Sequence, residues 1–171
     1  ELTPAVPTPE ASEFVLVENT NVRTAYEQAL DRRMFSGDGR SVVMAVYTTD
    51  LDEGRGDLYT AIGLGRQLER IGFEVIYLPR DRWYELPLGT DVVVAMLETV
   101  DATRLPPDVT KVAWVRNQTD VWAGQPWLAL FDLVLASSQA SLDRLASTYP
   151  GPTALLPIGV DAELFSGNTV D

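Results

Sequence analysis

Six short apolar runs, rich in β-branched residues and lacking polar alternation, recur along this chain between stretches of a different period. They are "SVVMAVYT" (41–48), "FEVIYLP" (73–79), "DVVVAM" (91–96), "KVAWVRN" (111–117), "DLVLASS" (132–138) and "TALLPIG" (153–159). A strand with one wet face alternates apolar and polar residues, whereas a strand covered on both faces has no reason to. Helical stretches between such strands supply the crossovers that parallel pairing requires. The pattern predicts an α/β fold, a Rossmann-like doubly wound parallel sheet of about six strands with helices on both faces.

The connecting stretches differ in strength. "LYTAIGLGRQLERIG" (58–72) sets Leu58, Ala61, Ile62, Leu64, Leu68 and Ile71 on one helical stripe, with Gly72 as the stop. "QASLDRLAST" (139–148) reads as a second helix. The links after strands two to four are weaker, because "DRWYELP" and "DATRLPPDV" contain proline and "TDVWAGQPWLAL" is broken at Gly124 and Pro126. Ahead of the sheet, residues 1–19 open with "ELTPAVPTPEASE", the composition of an extended linker. Residues 20–40 form a helical extension, in which Val22, Tyr26, Ala29, Leu30 and Met34 fall at helical spacing before the turn "SGDGR". The Rossmann-like domain is expected over 41–160. The remainder, 161–171, reads as the start of a connector into another domain, with Pro157 and Gly159 setting a turn and Asp161 capping the stub "AELF".

Composition narrows the function. The net charge of −12 would repel a phosphate backbone or an anionic membrane over most of the surface, so no nucleic-acid partner is expected. A small phosphorylated ligand needs only a local pocket and stays open. There is no cysteine, which excludes disulfides and thiolate chemistry, and no histidine, which removes the commonest general base and metal ligand. The longest apolar runs are far short of a membrane span and no signal peptide opens the chain, so a cytoplasmic location is expected.

Ligands of open parallel sheets bind outside the carboxyl ends of the strands. After the first strand, "TTDLDEGRGDLYTA" places Gly54, Arg55, Gly56 and Asp57 where backbone N–H groups and a helix N-terminus meet a ligand, with Asp57 expected to cap the helix. A flexible turn before a helix would look the same. "GLGRQL" (63–68) lies inside the helix, so it lacks the strand-to-helix context of a dinucleotide fingerprint, and Gly63 and Gly65 read as close-packing positions against the sheet. After the fourth strand, Arg116, Asn117 and Gln118 offer a guanidinium for an anion and amides for hydroxyls. Trp122 and Trp127 in the same loop either stack on a ligand or fill the core, and Asp120 can cap the segment after it. The acidic groups Asp50, Asp52 and Glu53, and Glu98 with Asp101, read as solvated loops, and no metal site is expected.

Three segments in order resemble the N-terminal half of a GT-B glycosyltransferase of the large "glycosyl transferases group 1" family. "GRGDLYTAIGLGRQLERIGFEVIYL" is similar to the family's glycine loop, helix and second strand, "FDLVLASSQASLDRL" to its "aDxvlapSxxxxxxL", and "TALLPIGVDAELF" to its "vxVIPNGVDxxxF". The match spans about 41–167 and leaves the first forty residues aside. The resemblance implies a transferase, retaining in stereochemistry, that moves a sugar from a nucleotide-sugar donor to a saccharide or other acceptor. It needs no cofactor beyond that donor substrate. This half would serve mainly the acceptor, and its partner would be its own C-terminal Rossmann-like domain, whose absence would leave the isolated half inactive. Such enzymes also work at the inner face of the membrane, through peripheral contacts of the other half. Gly54 and Gly56 match the family's glycine loop. Two positions depart from the pattern: Arg116 and Asn117 stand where many members carry a functional histidine, and Ile158 replaces the asparagine of "PNGVD". The catalytic residues are therefore left unassigned. Two other readings share the architecture, a non-catalytic α/β sugar- or ligand-binding module and a half of a sugar-nucleotide epimerase.

Overall fold

The computed structural model describes residues 41–159. The linker, helical extension and connector expected over 1–40 and 160–171 lie outside the described residues. Six strands, β1 (Ser41–Ala45), β2 (Glu74–Leu78), β3 (Val92–Ala95), β4 (Thr110–Val115), β5 (Leu133–Ala136) and β6 (Thr153–Leu155), form one sheet in the order β2-β1-β3-β4-β5-β6. Every pairing is parallel, as the unalternated apolar runs require. The strands are shorter than the runs that announced them, because the last residues of each run turn into the loop at the carboxyl edge.

Strand parity sorts the core into two layers. Val43, Ala45, Val93, Ala95, Ala113, Val115, Val134 and Ala136 face one side, and Val42, Met44, Val92, Val94, Val112, Trp114, Leu133 and Leu135 face the other. On the second side lies α1 (Gly56–Arg70), which buries Leu58, Ala61 and Gly65. A Cβ added at Gly65 would stand 3.0 Å from Tyr77 Cζ and 3.2 Å from Val75 Cγ1, so the glycine admits β2 against the helix. Gly63 has open space around its Cα and plays no such part, contrary to the expectation that both glycines pack on the sheet. Ile71 also departs from the expected stripe. The helix ends at Arg70, Gly72 takes φ 94°, and Ile71 is left 68% exposed.

The first side is covered by shorter pieces: 3-10 turns at Arg80–Arg82, Ala102–Arg104 and Leu128–Leu130, with α2 (Thr119–Ala123) and α3 (Gln139–Ala146). Proline and glycine keep these connections short, and large aromatics fill the space that longer helices would occupy. Trp122 packs edge-on to Phe131 with ring centroids 6.1 Å apart, and both are buried. Two buried polar tips are satisfied by backbone, Trp83 Nε1 donating to Val46 O at 2.6 Å and Tyr149 Oη to Phe131 O at 2.6 Å, whereas Trp127 Nε1 is buried without a partner. Ser138 caps α3 by accepting from Ser141 N.

The foot of the sheet is set by two aspartates, each just before a strand. Asp91 Oδ2 accepts from Ser41 N at 3.0 Å, and Asp132 Oδ2 accepts from Lys111 N at 2.8 Å. Each carboxylate satisfies an N–H at the start of a neighbouring strand and so helps fix register. Among the described residues, no helix is long and apolar enough to cross a membrane.

Candidate functional site

In this strand order the chain leaves β1 towards β2 and then crosses back past β1 to β3. The strand order reverses between β1 and β3, and sheets of this kind receive ligands outside the carboxyl ends of their strands at such a point. Four pieces of chain border it: Tyr47 after β1, Met96 after β3, Arg116 after β4, and the first turn of α1.

The loop from β1 to α1 is more structured than a flexible turn. Asp50 accepts from Asp52 N at 2.9 Å and caps a 3-10 turn, Leu51–Glu53, which Gly54 closes at φ 63° in the left-handed region. That conformation is why a glycine stands at 54. Gly56 is the first residue of α1 and has nothing near a built Cβ, so backbone is open to close approach there. The residue in the N-cap position is Arg55, which makes no side-chain cap bond. Asp57 is one position inside the helix and does not cap it, a correction to the expectation from sequence. Its Oδ2 accepts from Tyr47 N at 2.6 Å, which joins the helix start to the end of β1.

Arg116 turns inward. Its Nη2 donates to Met96 O at 2.8 Å, across the end of β3, while Ser137 Oγ donates to Arg116 O at 3.0 Å and holds the backbone. Nε is buried without a hydrogen-bond partner. Burial pushes the guanidinium below its ordinary range, and the Asp57 carboxylate acts in the opposite sense. Met96 N in turn donates to Ala45 O of β1 at 3.2 Å, and Asp57 holds the chain just past β1, so Arg116 and the start of α1 stand at adjoining strand ends although 59 residues separate Asp57 and Arg116 in sequence. An arginine and an uncapped helix N-terminus converging in this way suit an anionic group.

Asn117 and Gln118 come next on the same loop and are exposed. Gln118 adopts φ 52°, the one described non-glycine residue with positive φ, and precedes α2 without capping it. Trp122 belongs to the core, so it stacks on no ligand, and half-buried Trp127 packs against the same core. Asp120 does not cap α2; its Oδ1 accepts from Arg144 Nε at 2.8 Å and joins α2 to α3. Among the acidic groups, Glu53 Oε1 accepts from Thr48 Oγ1 at 3.2 Å, and Asp101 accepts from Thr103 N at 2.9 Å to cap its 3-10 turn.

Sequence reasoning missed a second feature at this edge. A shallow cleft of about 470 Å³ opens on the β2 side of β1, lined by Tyr47, Thr48, Glu53, Pro79, Arg80 and Asp81. The Arg55 guanidinium lies 4.1 Å above the Tyr47 ring centroid and bridges to Glu53 at 3.7 Å, and that of Arg80 lies 5.7 Å from the same ring. Arg80 and Tyr47 carry no motif, but both stand just beyond strand ends, which was the available signal. The cleft and the Arg116 crevice flank β1 on opposite sides, joined by Tyr47 and the start of α1.

Compared with family models, curated proteins and solved structures, the chain matches none.

Proposed function

We propose that this chain is the acceptor-side half of a GT-B-type glycosyltransferase, working on a nucleotide-sugar donor and a saccharide or other hydroxyl acceptor. The observation that carries the reading is that Arg116, bonded to Met96 O past β3, and the start of α1, bonded to Tyr47 N past β1, stand at the neighbouring strand ends where the strand order reverses. Phosphate groups are what such a crevice accommodates best. The three family-like segments supply the rest of the support. In this reading Gly54 and Gly56 let backbone N–H groups approach the ligand, Arg116 pairs with its negative charge, and Asn117 and Gln118 meet sugar hydroxyls.

The chain has no histidine, and Asp57, the carboxylate nearest Arg116 in effect, is already engaged by Tyr47 N. No side chain of this half is assigned a proton-transfer role, and in this reading transfer requires a second domain closing over the crevice. The same observation favours one other reading, a ligand-binding module that holds an anionic sugar derivative without reacting it.

Calorimetry of the protein in its full native length, against a panel of nucleotide sugars, tests the proposal. Binding with sugar-dependent transfer to an added acceptor is expected, with little transfer by residues 1–171 alone. Binding undiminished in residues 1–171, with no transfer at any length, would favour the binding module. No binding of any nucleotide sugar by the full-length protein would overturn both the donor assignment and the transferase reading.

A further inference from the structure

Two arginines attend one tyrosine ring at the carboxyl edge of the sheet. The guanidiniums of Arg55, just before α1, and Arg80, just after β2, lie over the Tyr47 ring at 4.1 and 5.7 Å from its centroid. A guanidinium drawn to a ring face keeps its N–H donors, which lie in its own plane, open to a ligand. Competing carboxylates are few. Glu53 meets Arg55 at 3.7 Å, and among the described residues no carboxylate pairs with Arg80, whereas its neighbour Arg82 is taken by Glu85 at 2.7 Å. Tyr47 thus gathers two cations, in a chain of net charge −12, and leaves their hydrogen-bonding edges largely open.

The backbone around them is firmly held. Arg80 N donates to Tyr47 O at 3.1 Å, which carries the β1–β2 pairing past the strand ends, and Trp83 Nε1 donates to Val46 O at 2.6 Å. In the β1–α1 loop, Thr48 Oγ1 accepts from Asp50 N at 3.1 Å and donates to Glu53 Oε1 at 3.2 Å. Between the two loops lies the cleft of about 470 Å³, a volume within the range of small-molecule sites. Its lining sets the exposed carboxylates of Glu53 and Asp81 beside the cations. Carboxylates accept from sugar hydroxyls, and guanidiniums grip a carboxylate in a planar fork. The balance of charge selects among anions. Glu53 and Asp81 offset Arg55 and Arg80, so a singly charged group is admitted more readily than a phosphate monoester of about −1.5 to −2.

We propose that this cleft is a subsite for a sugar that carries a carboxylate, such as a uronic acid, with Arg80 and Arg55 holding the carboxylate and Glu53 and Asp81 the ring hydroxyls. It lies across β1 from the Arg116 crevice. Holding a sugar acid requires no transfer, so the site stands whether or not the glycosyltransferase reading does. Under that reading the sugar acid is the acceptor.

Saturation-transfer NMR on the protein in its full native length tests the proposal, since the method reads weak binding at an open site. Methyl glucuronoside or methyl galacturonoside should bind with a Kd of about 1 mM, and the neutral methyl glucoside at least about tenfold more weakly. Cyclohexanecarboxylate, with the ring and the charge but no hydroxyls, should be weaker by about the same factor, and glucose 6-phosphate by about threefold or more. Arg80→Gln should lower affinity for the sugar acid about five- to tenfold. Arg82→Gln, which alters a paired arginine outside the cleft lining, should leave it unchanged. Binding of neither sugar acid overturns the proposal. So does equal binding of the neutral sugar or of cyclohexanecarboxylate, or binding of the phosphate as tight as that of the sugar acid. Arg80→Gln without effect, or no greater in effect than Arg82→Gln, overturns it as well. Titrating a nucleotide sugar into the same samples reads the Arg116 crevice separately, so failure of one site is not mistaken for failure of the other.

Discussion

Arg116 Nη2 donates to the carbonyl of Met96 at 2.8 Å, so the end of β4 reaches over the end of β3 into the crevice where the strand order reverses. That bond aims the guanidinium and holds it part-buried. Replacing Arg116 with alanine removes both a charged donor and the partner of the Met96 carbonyl. Hydrogen bonds to charged groups contribute about 1.5–3 kcal/mol, so affinity for a nucleotide sugar should fall roughly ten- to a hundredfold in calorimetry. Stability should fall by about 1–3 kcal/mol, read by urea unfolding, because the charged bond to the Met96 carbonyl is lost as well. Arg116→Lys should restore little of the affinity, because an ammonium cannot bond Met96 and an anion in the planar fork of a guanidinium. Unchanged affinity in Arg116→Ala would remove this residue from the site.

Asp57 performs a structural task that a substitution can separate from its charge. Its Oδ2 accepts from Tyr47 N at 2.6 Å, and the side chain is buried. Asp57→Asn keeps an acceptor and should cost under about 1 kcal/mol, whereas Asp57→Ala leaves the Tyr47 N–H unpaired and should cost about 1–3 kcal/mol. Chemical denaturation of the two variants checks the order. Equal losses would mean that the carboxylate charge, and not the hydrogen bond, matters at this position.

The sheet was legible because burial on both faces leaves a simple signature, and Val92–Ala95 with no polar residue illustrates it. The short helices were harder to read. α2 and the 3-10 turns are too brief for a helical period, and their places are fixed by Trp83, Trp122 and Phe131 filling a layer that only the folded sheet defines. In the β1–α1 loop the structure accounts for Gly54 by its left-handed φ of 63° and leaves open backbone at Gly56. The partnership of Arg116 with the α1 loop depends on strand order, which apolar runs do not encode. Asp57 was misread for a related reason: an acidic residue at a helix start fits a cap equally well, and the approach of Tyr47 N decides between them.

Gly65 should tolerate no side chain. A Cβ there meets Tyr77 Oη first, then Cζ at 3.0 Å and Val75 Cγ1 at 3.2 Å. Gly65→Ala gains about 1 kcal/mol in helix propensity, but the overpacking should cost about 1–3 kcal/mol and dominate. Because the hydroxyl is the nearest atom, Gly65→Ala combined with Tyr77→Phe should recover part of the loss. Gly63→Ala, in open space on the same helix, should stabilise instead. A thermal-shift series of the parent and these three variants reads all three effects, and a destabilised Gly63→Ala would show that helix propensity is not what separates the two glycines.

Tyr77 should also make the fold sensitive to alkali. Burial under α1 raises its phenol above the ordinary range, and the carboxylate of Glu69 adds to the rise while Arg66 opposes it. The folded state therefore holds this proton more tightly than the unfolded chain does. Its contribution to stability is fully present below the unfolded value near pH 10 and is lost as the pH climbs through the higher folded value. Urea midpoints should hold steady from neutral pH to about pH 9 as far as this group is concerned, then decline more steeply than in Tyr77→Phe. The difference between the two curves isolates Tyr77 from the other tyrosines. Parallel curves above about pH 10 would mean that the hydroxyl reaches water in the folded state and that α1 does not seal this part of β2.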